Sequence, residues 1–451
     1  MDKRLAYVVI IITSITTFFV AYISSAISIV LPTMAVFFKM DNVMQNWISL
    51  IYLLVIATFS ILAGTFSKRH GLKKSLLIGV VIFLLGSILS GISTSSLFII
   101  ASRAIEGLGA AFIYVSGTAM IVEAVDESLR GTALGINLAS FYVGLTIAPF
   151  LGGFLSNNYG WQSIFYIQVP FLLIAIFLII FEIKQDWVRD KSTSVNFKSL
   201  TLISIAIFVM MYGFTILNQI EGIALIIIGL VCFYLSFKQK NPVFKLDLFK
   251  NIKFLSSNIA SLTSYIGIYV LTYVLNYHFQ YIMGYSAEMS GALLVIGPLV
   301  MTFSAVIAGR LSDKRNPEVI AMAGIFIVLI SMIMITLIFK NTPLDYIILA
   351  MVIYGVGYGL FASPNTKVIM SSLPSKYNDY ASSAVSTSKY VGKTLSLALF
   401  TVIFAIVMGN VVISSTNYGL LILSSQITCG ICTVFCFISF VATVVGYRSK
   451  N

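Results

Sequence analysis

Apolar residues come in long unbroken runs along this chain, parted by short polar stretches. Fourteen runs can be drawn, at about 6–31, 47–67, 75–94, 97–122, 132–155, 161–183, 199–217, 222–237, 254–279, 288–309, 318–339, 344–370, 380–408 and 419–446. Most hold roughly 20 residues, enough for a helix rising ~1.5 Å per residue to cross a ~30 Å hydrocarbon layer. In a bilayer only helices and closed barrels satisfy their own backbone. Barrel strands would alternate apolar and polar positions with a period of two, and these runs do not. The pattern predicts an all-α membrane protein with fourteen transmembrane helices. The first run is much longer than the ~7–15-residue core of a signal peptide, so it reads as a retained span.

Composition agrees: of 451 residues, 59% are hydrophobic and only 10% charged, too little polar surface for a soluble fold of this length. A net charge of +12 would point to nucleic acid in a soluble protein. Here the charge gathers in alternate short loops. One set carries Lys68, Arg69, Lys73 and Lys74, then Arg130, then Lys184, Arg189, Lys191 and Lys198. The same side continues with Lys238, Lys240, Lys245, Lys250 and Lys253, then Arg310, Lys314, Arg315 and Lys376, whereas the opposite loops hold Lys39 and Lys340. The positive-inside rule places the basic side and both termini in the cytoplasm of a cell (plasma or inner) membrane, with no role for nucleic acid. Cys232 lies in a span and Cys429, Cys432 and Cys436 share one face of the last; thiols at this depth read as small apolar residues, not metal ligands.

The chain repeats itself. Gly64-Thr-Phe-Ser-Lys68-Arg69 after span two matches Gly309-Arg-Leu-Ser-Asp313-Lys314 after span ten, 245 residues on. Glu106-Gly-Leu-Gly109 in span four matches Tyr354-Gly-Val-Gly357 in span twelve, 248 residues on. Spans seven and eight hold no deep charge and read as an insert. The expected division is a six-helix half at 1–183, a linker with two extra helices at 184–253, and a second six-helix half at 254–451. Parallel halves around a midplane site are a transporter plan.

These residues resemble the major facilitator superfamily, and within it the fourteen-helix drug/proton antiporters. Gly64 to Lys74 is similar to the family's loop after the second helix, Arg103-Ala-Ile-Glu-Gly-Leu-Gly to its fourth-helix motif, and Gly135, Gly144, Ala148-Pro149 and Gly152-Gly153 to its fifth-helix antiporter motif. Gln45 to Tyr52, Trp161 to Pro170 and Gln280 to Ser286 resemble fourteen-helix signatures. The resemblance implies two six-helix halves and export by antiport. The chain departs from the pattern with Lys68 for the loop Asp, Glu106 for Gln, Ala148 for Gly, and Ile23 where drug exporters often carry Asp.

Arg103 and Glu106 sit at i and i+3, on one helix face, and Glu106 is the acid expected deepest in the membrane. An ionisable group there is costly and is a functional candidate. Desolvation and the arginine act on the carboxyl in opposite senses, so the pair is the candidate for proton coupling; the alternative is a static pair that locks the helix. Lys389 and Lys393, at i and i+4 of span thirteen, are candidates for a substrate carboxylate, against snorkelling to the surface. Tyr265, Tyr269 and Tyr273 form a stripe on span nine. With Tyr22, Asn137, Tyr142, Tyr354 and Tyr358 they are candidate pocket residues, since rings with polar tips suit flat amphipathic ligands; packing or interface anchoring is the alternative for each. Gly64, Lys68, Arg69, Gly71, Gly135, Gly144, Pro149, Gly152, Gly153 and Asp313 are gating candidates, through close helix packing, a proline bend and a basic loop that can latch one side.

The expected function is a proton-coupled secondary exporter of small lipophilic or amphipathic drugs, such as would confer antibiotic resistance. A dedicated metabolite or lipid exporter or flippase is the alternative. An enzyme would need clustered catalytic groups, but His70 and His278 are far apart, and no phosphate-binding loop supports ATP-driven transport. No cofactor or metal is expected, the proton gradient supplies the energy, and the partners are small molecules, protons and lipids around a monomer.

Overall fold

The computed structural model describes residues 3–188, 197–217, 219–239, 246–374, 378–409 and 411–449. The side chains of Lys68, Arg130 and Asp313 lie outside the described residues, as do Arg189, Lys191, Lys240, Lys245 and Lys376. The described residues are helical, without a strand. In order the α-helices are α1 (Lys3–Phe38), α2 (Asn42–His70), α3 (Leu72–Gly91), α4 (Ser96–Ala124), α5 (Glu127–Tyr159), α6 (Ser163–Tyr166), α7 (Val169–Phe181), α8 (Phe197–Thr215) and α9 (Ile220–Phe237). They continue with α10 (Ile252–Ile268), α11 (Leu271–Tyr277), α12 (Ala287–Leu294), α13 (Ile296–Lys314), α14 (Pro317–Thr336), α15 (Leu344–Ser371), α16 (Asn378–Met408) and α17 (Tyr418–Arg448).

Thirteen helical stretches among the described residues are long and apolar enough to cross a membrane, and Ile220–Ser236 is a shorter apolar one. Together they fall on the fourteen predicted runs, the short one at the low end of the ~17–25-residue spanning range. Polar side chains start several of them. Asp41 accepts from Met44 N at 2.7 Å, Asn251 from Phe254 N at 3.0 Å and Asn316 from Glu318 N at 2.9 Å, each supplying an acceptor to an amide that the first turn leaves open.

Three predicted spans are interrupted. Ile167 and Gln168 separate α6 from α7, Tyr269 and Val270 separate α10 from α11, and Val295 separates α12 from α13. A π-helical turn, His278–Ile282, follows α11. Hydropathy reads straight through such breaks, because one or two residues, even a polar one such as Gln168, hardly change the average over a whole span.

The helices cluster into two compact units. One comprises Met1–Tyr212, Ala224–Asn241 and Ser286–Gly291; the other Gly213–Ile223, Pro242–Tyr285 and Ala292–Asn451. In the first, α4 packs on α2, α3 and α1, and α5 on α1; in the second, α15 packs on α13 and α14, and α10 on α16 and α17.

The sequence repeat is also a repeat of packing. A Cβ on Gly109 of α4 would overlap Phe83 N and stand 2.7 Å from Gly79 O of α3. On Gly357 of α15 it would stand 2.6 Å from Val328 N and 2.8 Å from Gly324 O of α14. Gly107 faces Tyr52 O of α2 at 2.7 Å, and Gly355 faces Gly297 O of α13 at 2.6 Å. The partners Gly79, Phe83 and Tyr52 are each 245 residues before Gly324, Val328 and Gly297. Backbone meets backbone at these points, so no side chain can yield.

Gly109→Ala and Gly357→Ala should each lower stability by about 1–3 kcal/mol through overpacking. Gly135, whose added Cβ would meet nothing within 4 Å, should tolerate alanine and gain up to about 1 kcal/mol of helix propensity. Thermal unfolding of the purified proteins in one detergent checks the contrast.

Candidate functional site

The core of the first unit holds an ion pair. Arg103 and Glu106 of α4 are both 0% exposed, and Arg103 Nη1 donates to Glu106 Oε2. Gly86 permits this depth, because α3 there presses on the backbone of Glu106 and leaves no room for a Cβ. Gln168 Nε2 donates to Glu106 Oε1 at 3.1 Å and contacts Ser87 Oγ at 2.5 Å, while Ser87 donates to Phe165 O at 2.9 Å. Arg103 Nε donates to Ile48 O at 3.3 Å, and its guanidinium lies 4.2 Å from the centre of the Tyr52 ring. Tyr52 in turn donates to Val20 O at 3.2 Å. Both carboxylate oxygens are thus taken, and the pair draws ligands from α2 and the α6–α7 break, with Ser87 of α3 behind Gln168. Arg103 Nη2 and Gln168 Oε1 have no hydrogen-bond partner among the described residues.

The second unit holds a different constellation. Lys389 and Lys393 are one turn apart on α16, 9% and 6% exposed, so neither snorkels to the surface. The ammonium of Lys393 lies 4.9 Å from the centre of the Tyr269 ring, and that of Lys389 lies 5.8 Å from Tyr390. Between them Gly392 brings α16 onto α10, where its Cβ would stand 2.6 Å from Tyr265 Cβ. The predicted tyrosine stripe is split by the α10–α11 break. Tyr269 and Tyr273 remain neighbours at 5.8 Å, while Tyr265 turns to Tyr358 at 6.1 Å, which stacks on Tyr354 at 6.1 Å.

The other pocket candidates lie in the first unit. Tyr22 is fully buried against Phe18 and Phe19, and its hydroxyl has no hydrogen-bond partner among the described residues. Asn137 donates to Thr17 Oγ1 at 3.1 Å, tying α5 to α1, and Tyr142 is half-buried beside Phe141. A small pocket in the second unit is lined by Val274, His278, Ile335, Ile338, Ser425 and Gln426 among others, and by none of the predicted pocket residues.

The gating candidates separate on geometry. Gly144 approaches Phe18 O at 2.5 Å and Gly152 approaches Ala26 Cβ at 3.0 Å, both on α1; Gly153 abuts Ala287 O. Pro149 shares this surface, since Gly291 abuts its carbonyl. Gly64 meets only Val115, at an ordinary 3.4 Å, and Arg69 is exposed. Gly71 takes φ +104°, and an added Cβ there would collide with the Asp186 carboxylate. That carboxylate accepts from Lys73 N at 2.8 Å and Lys74 N at 3.2 Å, and Trp187 O accepts from Leu72 N at 3.1 Å. An acid from beyond α7 therefore caps α3, next to the loop in which Lys68 replaces the family acid.

Gln168, Ser87, Tyr52 and Asp186 are parts of these arrangements that the sequence pattern did not single out. A polar residue inside an apolar run, two positions before Pro170, was the available signal for Gln168. Asp186 carries none, because its partners are backbone amides far away in the chain.

Removing one member of the buried pair strands the other. Arg103→Leu should cost about 3–5 kcal/mol, and Arg103→Leu with Glu106→Leu should recover most of that loss. A double-mutant cycle on thermal unfolding in detergent measures both; equal losses in the single and double variants would refute a coupled pair.

Comparison with known proteins gives a consistent result. A family model described as the Major Facilitator Superfamily matches residues 13–397. The riboflavin transporter RibZ of Clostridioides difficile is 27% identical over 448 residues, 99% of this chain and 98% of its own. The multidrug resistance protein Stp of Mycobacterium tuberculosis is 24% identical over 408 residues, 88% of this chain and 75% of its own. The crystal structure of the peptide transporter POT in complex with sulfate shares the fold at a TM-score of 0.73, with 14% identity and all of both chains covered. With a family model spanning most of its length and a transporter fold along all of it, the chain belongs to the major facilitator superfamily of multi-pass membrane transporters.

Proposed function

We propose that the chain is a proton-coupled antiporter that exports small amphipathic aromatic compounds, with Glu106 as the coupling acid. The observation that carries this reading is the full burial of Glu106 with both oxygens engaged, by Arg103 and by Gln168. A charged acid in a membrane core is retained for a purpose, and one so held changes its contacts when it takes a proton. Protonation removes the charge that holds Arg103 and replaces one acceptor of Gln168 by a donor. Loss of the Gln168 contact frees α4 from the α6–α7 break, while Arg103, released from the carboxyl, keeps Ile48 O and the Tyr52 ring of α2 as its remaining partners. The likeness to Stp, named a multidrug resistance protein, favours export. The close packing of Gly144, Gly152 and Gly153 suits a fifth helix that seals one side during the cycle, with Gly64, Lys68, Arg69 and Gly71 at the α2–α3 turn as a latch of the first unit and Asp313 at the end of α13 as the matching position of the second.

In this reading a monomer crosses the cell membrane fourteen times with both termini in the cytoplasm, as halves 1–183 and 254–451 joined by 184–253. Substrate binds from the cytoplasm with Glu106 ionised. Protonation from outside accompanies release, and deprotonation into the more alkaline cytoplasm resets the carrier. With Ile23 in place of the first-helix acid, neutral and zwitterionic aromatics should be exported better than permanent dications.

A second reading, a dedicated exporter of one metabolite, is favoured by the end-to-end likeness to a protein named a riboflavin transporter. A resistance and accumulation panel separates the two readings: several unrelated exported aromatics support the first, and riboflavin alone the second.

Proteoliposomes with pH and voltage clamped separately test the coupling. One pH unit supplies about 1.4 kcal/mol per proton, and 100 mV about 2.3 kcal/mol per net charge. Exchange of one proton for a neutral or zwitterionic substrate should respond to both, and exchange for a monocation to the pH difference alone. Glu106→Gln should abolish gradient-driven efflux while leaving the protein in the membrane. Retained coupling in that variant, or a zwitterion flux indifferent to voltage, would overturn a single-proton cycle through Glu106.

A further inference from the structure

We infer that His278 is a proton-binding site of its own, apart from Glu106, and that a proton there unlatches the outer end of α11 from α14 and α17. The inference rests on the exporter reading above for its orientation, which puts this end of the span outside, opposite Lys250 and Lys253.

The site is the small pocket of the second unit. His278 enters it from the π-helical turn after α11, Ile335 and Ile338 wall it at the end of α14, and Leu421, Ser425 and Gln426 close it from α17. His278 is 7% exposed, and its Nε2 has no hydrogen-bond partner among the described residues. A buried polar atom left open costs free energy. That cost is removed in a state where the nitrogen holds a proton and meets an acceptor.

Imidazole is the side chain whose charge changes near neutral pH. Protonated, both its nitrogens are donors, and no ionisable group of α14 or α17 lines the pocket to receive them. Tyr418 and Cys429 stand three residues before Leu421 and three after Gln426. At the start of α15, Lys340 and Asp345 are exposed and Tyr346 gives its hydroxyl to Met334 O. On the segment of His278 itself, Tyr277 packs on Phe400 and Phe404 of α16, and Tyr281 on Tyr277. From Thr394 to Met408, α16 has no ionisable side chain.

The acceptors must therefore come from the latch that closes the pocket. Gln426 Nε2 donates to Ile338 O at 3.0 Å and ties α17 to the end of α14. To give its oxygen to an imidazolium, Gln426 turns, and its amino group leaves Ile338 O. The segment that carries His278 can follow. Met283 N closes the π turn on His278 O at 3.0 Å, and Gly284 takes φ +71° directly after it. A π turn recurs at functional positions, and a shift back to α pairing would rotate the residues after it, a change that glycine absorbs without strain.

The chain has two histidines, and His70 is exposed. Full-length His70→Asn protein in nanodiscs, isotope-labelled at histidine, therefore reports on His278 alone by NMR. Its imidazole resonance should titrate in one step between about pH 5 and about pH 8. Hydrogen exchange of 271–282 and 418–426, corrected for the intrinsic effect of pH, should quicken about tenfold as the pH falls through that range, with the same midpoint. His278→Gln should keep the slow rate throughout, and Glu106→Gln should keep the response. An imidazole that stays neutral, an opening with a different midpoint, an undiminished response in His278→Gln, or its loss in Glu106→Gln would each overturn the inference. No gradient is applied. A failed efflux assay on Glu106→Gln would therefore bear on proton coupling alone, and a failed titration on His278 alone.

Discussion

A guanidinium and a carboxylate withdrawn from both water and lipid must find every compensating contact within the protein, and the first unit is arranged around that requirement. Glu106 sits where the backbone of α3 presses on α4, and glycine at position 86 leaves room for it. Its second oxygen needs a donor that the helix itself cannot provide, and the donor comes from Gln168 at the α6–α7 break. Arg103 leans on the face of Tyr52 and on the carbonyl of Ile48. Taken apart, the ions would cost several kcal/mol each to hold in place; together they tie the elements that meet them into one arrangement. Arg103 Nη2 has no hydrogen-bond partner among the described residues, so the arrangement does not use every donor of the guanidinium.

Broken helices recur where polar chemistry sits. Away from water a helix can be interrupted only if other groups take up its freed amides and carbonyls. At the α10–α11 break these are the hydroxyl of Ser396 and the thiol of Cys432. At the α6–α7 break Phe165 O accepts from Ser87, and Gln168, the residue before α7, turns its amide onto Glu106 and Ser87. Each break projects side chains that a straight helix would carry elsewhere. Cys432 thereby gains a structural role that its reading as a small apolar residue does not include.

The spans and the buried acid were legible in the sequence for a simple reason: burial in lipid demands long apolar runs, and against them one Glu stands out. Arg103 followed from its spacing. Gln168, Ser87 and Ser396 were not legible, because neutral polar residues are common in spans and their partners lie 62 to 126 residues away. The helix breaks escaped notice because hydropathy is blind to backbone hydrogen bonds. The sequence treated the four candidate glycines of α5 alike, yet Gly144, Gly152 and Gly153 meet neighbours and Gly135 meets none. Only the positions of other helices separate them. Asp186 was invisible for the same reason, since its capping of α3 depends on where the chain returns after α7.

The repeat holds two different side chains in one packing arrangement. Gly107 and Gly109 pack as Gly355 and Gly357 do, against partners at a constant offset, so the frames around positions 106 and 354 are equivalent. One position carries a carboxylate and the other Tyr354. A frame held by backbone-to-backbone contacts does not depend on the side chain it presents, and the two halves could diverge there without loss of packing. In the first unit the frame presents a carboxylate engaged by Arg103 and Gln168. In the second it presents Tyr354, stacked on Tyr358. Equivalent frames with unlike side chains offer unlike chemistry, so the packing of the repeat alone does not decide what either position does.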